Sequence, residues 1–160
     1  MNNQQLSVKM ILDAWNAQLK NANKLFDTLT DDQFTEEVAP DRNTGTYLLG
    51  HLVAVHDGLL SLLGFGQKLF PELEEPFIKT PNKSGQTFPP VKELKEKWQT
   101  VNAALDQHFN KLTPEEWFQK HTAVSEEDFA KEPHRNRLNV VISRTNHLAN
   151  HLGQLIFLKK

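Results

Sequence analysis

The sequence predicts an all-α fold, a four-helix bundle with long connections and one or two short extra helices. Apolar residues recur at helical intervals in four long segments, and no segment alternates like a credible strand. At 160 residues without cysteine, the chain is long enough to bury a substantial core without disulfides. We therefore expect one bundle domain over residues 1–160.

The first two long helices each follow one apolar stripe. The first runs to about Leu29, after which Thr30 can cap a short helical turn. The second runs from about Thr46 to Leu63, where a glycine follows, as is common just past a helix end. The stripe of the first helix consists of Val8, Leu12, Trp15, Leu19, Ala22, Phe26 and Leu29.

The second half of the chain predicts two more long helices separated by connections. Residues 64–88 show no period and form a connection long enough to suggest a purpose. Pro89 and Pro90 open the third helix, and Thr113-Pro114-Glu115-Glu116 is a capping box for a short helix to about Lys120. A polar loop over residues 121–134 then precedes the fourth long helix, from about Asn136 to Leu158.

Composition excludes several functions. The net charge is −2 and basic residues do not cluster, which argues against a nucleic-acid surface or an anionic membrane as partner. No run approaches the 18 or so apolar residues that span a bilayer, and the amino terminus lacks the pattern of a signal peptide. We expect a soluble, cytoplasmic protein.

Three histidines carry the functional prediction. His147 and His151 are four residues apart, so both rings project from one helix face and could hold one metal ion. They could equally be two partly exposed side chains at the border of the buried face. His51 adjoins apolar neighbours on the second helix, and a buried imidazole without a partner costs about 1–3 kcal/mol. It is either a third ligand or a core histidine bonded to a carbonyl or water.

Other polar residues are weaker candidates. Arg144, one turn before His147, could bind an anionic substrate group or extend its head to water. Tyr47, one turn before His51, could donate a hydrogen bond to substrate or simply pack. The remaining histidines are interpreted as peripheral (His56), as a core or rim side chain that could approach the same cavity (His108), and as exposed (His121, His134).

Two motifs resemble those of the DinB family of bacterial metalloproteins. Gly50-His51-Leu52-Val53 is similar to the ligand motif of its second helix, and the segment from His147 to Leu155 is similar to its terminal motif His-x-x-x-His-Arg-Gly-Gln. Leu152 stands where arginine is common, so a role of that arginine does not carry over. The resemblance implies that His51, His147 and His151 bind one divalent metal: zinc, nickel, iron or manganese.

The resemblance also implies a class of reaction. Some members of the family are thiol-dependent transferases or isomerases that use bacillithiol, mycothiol or glutathione, and the family tends to form homodimers. Three neutral ligands leave a coordination position open, which is typical of a catalytic site, and a bound thiol would be held as thiolate. We expect a transferase that adds a low-molecular-weight thiol to a small electrophilic substrate. The alternatives are a non-catalytic bundle that binds metal or a ligand, and a bundle whose histidines only pack.

Overall fold

The computed structural model describes residues 1–159, which form helices and, apart from two isolated β-bridges, no β-structure. The predicted all-α bundle is confirmed. The described residues contain three short α-helices rather than the expected one or two. The α-helices are α1 (Asn3–Thr28), α2 (Asp31–Thr35), α3 (Gly45–Leu62), α4 (Val91–Phe109), α5 (Pro114–Trp117), α6 (Glu126–Lys131) and α7 (Arg137–Leu155).

The four long helices α1, α3, α4 and α7 surround one apolar core. α1 packs along α7, α3 packs along α4, and α3 also contacts α7. α1 meets α4 where the indole N–H of Trp98 donates to the Asn23 amide oxygen at 2.8 Å. Each long helix contributes the apolar face that its period predicts. The largest fully buried side chains include Trp15, Trp98, Trp117, Phe34 and Phe77.

Side-chain caps fix where several helices begin. Thr30 and Thr113 each accept a hydrogen bond from the backbone N–H three residues on, and each belongs to a capping box. These two caps confirm the predicted starts of α2 and α5. Thr44 caps α3 and Asn136 caps α7 in the same way, so the two helices that carry the site histidines have defined starts.

The connection between α3 and α4 is fastened to α3. Its short 3₁₀ turn (Pro71–Leu73) and the π-helical turn after it (Glu75–Lys79) bury Leu73 and Phe77 against the bundle. The Asp57 side chain on α3 is buried, and its carboxylate accepts the backbone N–H groups of Leu69 and Phe70 at 2.7 and 2.9 Å. Two charge-assisted bonds to one carboxylate hold the start of this segment in place.

Two sequence expectations about the second half were wrong in detail. Residues 121–134 were expected to be a loop, but α6 lies within them, capped by Ser125. α6 buries none of its residues, so it has no apolar period to reveal it. α5 ends at Trp117 rather than near Lys120. After its single turn the chain pairs with the start of α7, where the Arg137 N–H donates to the Gln119 carbonyl and Lys120 forms an isolated bridge with Asn136.

The fourth long helix also ends differently from the expectation. Its α-helical hydrogen bonding stops at Leu155, and a 3₁₀ turn (Ile156–Leu158) completes the segment. None of the described helices is long and apolar enough to cross a membrane.

Candidate metal centre

The structure brings His51 of α3 together with His147 and His151 of α7. The Nε2 atom of His147 lies 3.1 Å from Nε2 of His51 and 3.1 Å from Nε2 of His151. One ring nitrogen from each histidine lies within 4.8 Å of the other two, and all three side chains are half-buried. Histidines 96 residues apart in sequence therefore meet because α3 packs against α7.

The backbone of the connection orients His51. Its Nδ1 lies 2.8 Å from the carbonyl oxygen of Phe77, within the π-helical turn. A carbonyl can only accept, so Nδ1 carries the proton and donates it. The lone pair of His51 is then on Nε2, the atom that faces His147. A carbonyl partner of this kind is what a metal-binding imidazole ordinarily has behind it.

A side-chain amide orients His151 so that its ring, like that of His51, carries the proton on Nδ1. Nδ1 of His151 lies 3.2 Å from Oε1 of Gln154, one turn further along α7. The amide oxygen accepts from Nδ1, which leaves the lone pair on Nε2. Nδ1 of His147 is buried and has no hydrogen-bond partner among the described residues.

The donor set fits a divalent metal. At least two Nε2 lone pairs point toward one small volume, where they repel each other unless a cation or proton lies between them. Two nitrogens bound to tetrahedral zinc at 2.0–2.1 Å are about 3.4 Å apart, close to the 3.1 Å separations of the rings. Imidazole nitrogen suits zinc, nickel and iron in particular.

The electrostatics of the centre favour neutral imidazoles. Burial, together with the neighbouring His151, His51 and Arg144, lowers the pKa of His147 to about 4. Burial also lowers the pKa of His151, although the Gln154 hydrogen bond opposes this. Both rings are therefore neutral at pH 7, which is the form that binds metal.

A cleft of about 350 Å³ opens beside the centre. His51 and His147 form part of its wall, and Arg144, one turn before His147, forms another part. Opposite them Glu74 pairs with Lys68 and Lys79.

A larger hollow of about 410 Å³, lined in part by Arg42, Gln154 and Phe157, contains none of the three histidines. The smaller cleft is thus where a molecule could reach the centre. Its other lining residues are Ala54, Val55, Gly58, Leu59, Leu62 and Ile78.

Tyr47 lies behind His51 rather than in the cleft wall. Its ring stacks beside the His51 imidazole at 6.3 Å between centroids, and its hydroxyl donates to the Thr80 carbonyl at 3.1 Å. A direct contact between Tyr47 and a substrate would require the hydroxyl to leave that carbonyl.

The other histidines do not join the centre. His108, whose seam position on α4 predicts an approach to the same cavity, instead stacks its ring on Phe65 with centroids 4.7 Å apart. His56 is fully buried between Trp15 and Trp98 instead of peripheral, because it points into the core from the far side of α3. His121 is half-buried rather than exposed, whereas His134 is exposed as expected.

Three residues that shape the site follow from no side-chain pattern in the sequence. Phe77 supplies a backbone oxygen, which no side-chain pattern can reveal. Lys68 and Glu74 close the cleft from the connection between α3 and α4, whose length was the only signal that it has a purpose.

Comparisons with known proteins agree with this architecture. The profile of the DinB superfamily matches residues 14–155. No protein with a curated description matches the sequence. The fold is similar to that of a conserved protein from Enterococcus faecalis known from a crystal structure, with a TM-score of 0.61 and 17% identity. That similarity covers 99% of this chain and 95% of the other, and it supports the fold alone.

Proposed function

This chain belongs to the DinB superfamily, and on that premise we propose that it is a divalent-metal-dependent transferase. The proposed reaction adds the thiolate of a low-molecular-weight thiol to a small electrophilic substrate. The observation that carries the proposal is the convergence of three Nε2 atoms beside an open cleft. We assign His51, His147 and His151 as the metal ligands.

The arrangement suits a catalytic centre better than a structural one. Three protein ligands would leave a coordination position free on a bound metal, and the cleft lined by His51 and His147 would give solvent and substrate access to it. A bound divalent metal would act as a Lewis acid that holds a thiol as thiolate near neutral pH. Two of the three imidazoles, those of His51 and His151, are oriented in advance by Phe77 and Gln154, so these two rings need little rearrangement to bind.

Arg144 is the proposed contact for an anionic group of the substrate or thiol. It is half-buried in the cleft wall, and none of the hydrogen bonds or ion pairs of residues 1–159 involves its guanidinium. An Arg fork of this kind binds a carboxylate with two parallel hydrogen bonds. The assignment of Tyr47 as a second substrate contact stays a prediction.

The cleft lacks a free general base. Glu74 is the carboxylate among its lining residues, and Lys68 and Lys79 both pair with it. Ion pairing lowers the pKa of Glu74, which makes it a weaker base. Thiolate transfer needs no protein base when the metal activates the thiol, whereas hydrolysis commonly uses a base to activate water. The residues that line the cleft therefore favour thiolate transfer over hydrolysis.

Metal uptake is the first test. Purified protein, stripped with a chelator and titrated with zinc or nickel in a calorimeter, should bind one equivalent. His151→Ala should weaken binding by a factor of at least about 10–100, because one of three ligands is lost. His134→Ala removes an exposed histidine and should bind like the wild type. Equal uptake by wild type and His151→Ala would refute the ligand assignment.

Turnover is the second test. Metal-loaded protein should conjugate bacillithiol, glutathione or cysteamine to an electrophilic aryl chloride, and stripped protein should not. In this reaction the C–S bond replaces the C–Cl bond, chloride leaves, and the thiol proton passes to solvent. Arg144→Gln should raise KM for carboxylate-bearing thiols and leave cysteamine, which has no carboxylate, unaffected. Stoichiometric metal binding without turnover for any thiol would favour the alternative, a non-catalytic metal-binding bundle. The native metal, the homodimer and the cytoplasmic location stay predictions.

A further inference from the structure

The cleft at the metal centre adjoins a second hollow. This hollow measures about 320 Å³ and shares Leu62 and Arg144 with the cleft. The Arg144 side chain therefore stands at the junction of the two spaces. The rest of the second hollow is lined by His121, Arg135, Asn139, Val140 and Ser143.

The two spaces together follow one face of α7. His147 lies at the metal end, Arg144 is one turn earlier, and Val140 is a further turn earlier. Asn139 and His147 are eight residues apart, so the combined groove extends about 12 Å along the helix. That length exceeds what a molecule held by Arg144 and the metal alone would use.

The groove is cationic although the chain is not. The net charge of the protein is −2, yet among the described residues no Asp or Glu lines the second hollow, and Arg135 and Arg144 both do. In the cleft, Glu74 is balanced by its ion pairs with Lys68 and Lys79. Arg135 also contacts Glu132, with 3.2 Å between Nη1 and Oε2, so part of its charge is already balanced. Both members of that pair are substantially exposed, and such a contact is weak enough for a ligand to replace.

Polar groups that could complete anion binding surround Arg135. Nδ1 of His121 is buried and has no hydrogen-bond partner within residues 1–159. The side chains of Asn139 and Ser143 are exposed on the same stretch of α7. A ligand in the hollow would therefore meet hydrogen-bond donors as well as a cation.

We propose that the groove binds an elongated small molecule with two anionic groups, one at Arg144 and one at Arg135. Identifying that molecule as the thiol or its acceptor rests on the proposed function. The binding of the two anionic groups does not rest on it, because both arginines belong to the chain whether or not metal is bound.

The test uses stripped protein and α,ω-dicarboxylates of increasing length. Succinate, adipate, suberate and decanedioate are titrated against the protein, with octanoate as the singly charged control for suberate. Affinity should rise with length until both arginines are reached, and a dicarboxylate of the best length should bind at least about fivefold tighter than octanoate. Affinity that does not depend on length or on the second carboxylate would overturn the proposal.

Two variants at the second hollow should move affinity in opposite directions. Arg135→Gln should weaken the best dicarboxylate about fivefold and leave octanoate unchanged, whereas Glu132→Gln should strengthen the dicarboxylate by freeing Arg135. Arg42→Gln is the matched control, because it removes an exposed arginine from the other hollow. An effect of Arg42→Gln equal to that of Arg135→Gln would mean that only net charge matters, and it would refute the site.

The outcomes separate this proposal from the proposed function. Length-dependent binding without metal uptake would support the dianion groove and refute the metal enzyme. Metal uptake and thiol turnover, with no effect of Arg135→Gln on dicarboxylate affinity, would support the metal enzyme and refute the dianion groove.

Discussion

At the residue scale, the partner of each ring nitrogen decides what a histidine of α3 can do. His51 donates through Nδ1 to a backbone carbonyl and turns Nε2 toward α7. His56 lies five residues on, its Nδ1 is 2.8 Å from Oδ1 of Asn102, and its Nε2 is buried with no hydrogen-bond partner in the part of the chain that the structure describes. Because Asn102 uses its amide nitrogen on the Trp98 carbonyl, its oxygen accepts from His56. His56 is thus restricted to the neutral form.

His56 should make stability depend on pH. Burial lowers its pKa from 6.5 in the unfolded chain to about 3 in the folded protein. Between these values the unfolded chain binds the proton more readily than the folded protein does. The contribution of His56 to the free energy of unfolding is therefore fully present above pH 6.5 and declines as the pH falls toward 3. At pH 5 the loss from this residue should be about 2 kcal/mol.

Denaturant unfolding at pH 7 and pH 5, with a chelator present, measures this loss. His56→Gln should be less stable at pH 7, but the change in its unfolding free energy between the two pH values should be about 2 kcal/mol smaller than in the wild type. His147 and His151 titrate in both proteins, so their contribution cancels in the comparison. An identical pH dependence in the two proteins would contradict the prediction.

At the element scale, the π-helical turn depends on a glycine of α3. A Cβ at Gly50 would lie 2.3 Å from the Phe77 ring, so this position lets the connection approach the helix directly beside His51. Phe77 is fully buried, and its carbonyl is the partner of His51. The close packing of one glycine against one ring therefore sets the orientation of a proposed ligand.

Gly50→Ala should disturb this element and with it the metal centre. The ring of Phe77 must move, which should cost about 1–3 kcal/mol of stability and weaken zinc binding as the carbonyl shifts. Gly58→Ala is the matched control in the same helix, because no atom of residues 1–159 beyond its immediate neighbours along the helix lies within 4 Å of its added Cβ. It should be neutral or stabilise the protein by up to about 1 kcal/mol through helix propensity.

Thermal unfolding and zinc calorimetry on the two variants check this prediction. If Gly50→Ala matches Gly58→Ala in both stability and zinc affinity, Phe77 does not position His51.

The elements also show where sequence reasoning succeeds and where it stops. The four long helices were predictable because each buries an apolar stripe with a helical period. The starts of α2 and α5 were predictable from the capping residues Thr30 and Thr113. α6 was missed because it buries nothing. The turn at Phe77 was missed because its packing depends on the absence of a side chain at Gly50, which is a tertiary relation.

At the scale of the whole molecule, the histidine cluster joins the two helix pairs of the bundle. His51 belongs to the pair α3 and α4, and His147 and His151 belong to the pair α1 and α7. The shared face of His147 and His151 followed from their spacing alone. That His51 meets them depends on how α3 packs against α7, which helical periods do not specify. The apolar setting of His51 therefore left a third ligand and a core histidine both open, and the family resemblance favoured the ligand.

A metal bound across these pairs should stabilise the entire bundle. The unfolded chain does not hold the three rings together, so zinc binds the folded state and shifts unfolding by mass action. At a free zinc concentration 100 times Kd the gain is about 2.7 kcal/mol. For a chain of this size that gain raises Tm by about 5–10 °C.

Differential scanning calorimetry with and without zinc measures the shift. His134→Ala should keep the full increase in Tm because its ring is exposed and is not one of the three histidines whose ring nitrogens converge. His151→Ala should lose most of the increase, whatever its own stability without metal, because the readout is the difference that zinc makes within each protein. The shift should also grow with the logarithm of the zinc concentration above Kd. An increase that His151→Ala retains in full would place the stabilising ion elsewhere and remove the link between the two helix pairs.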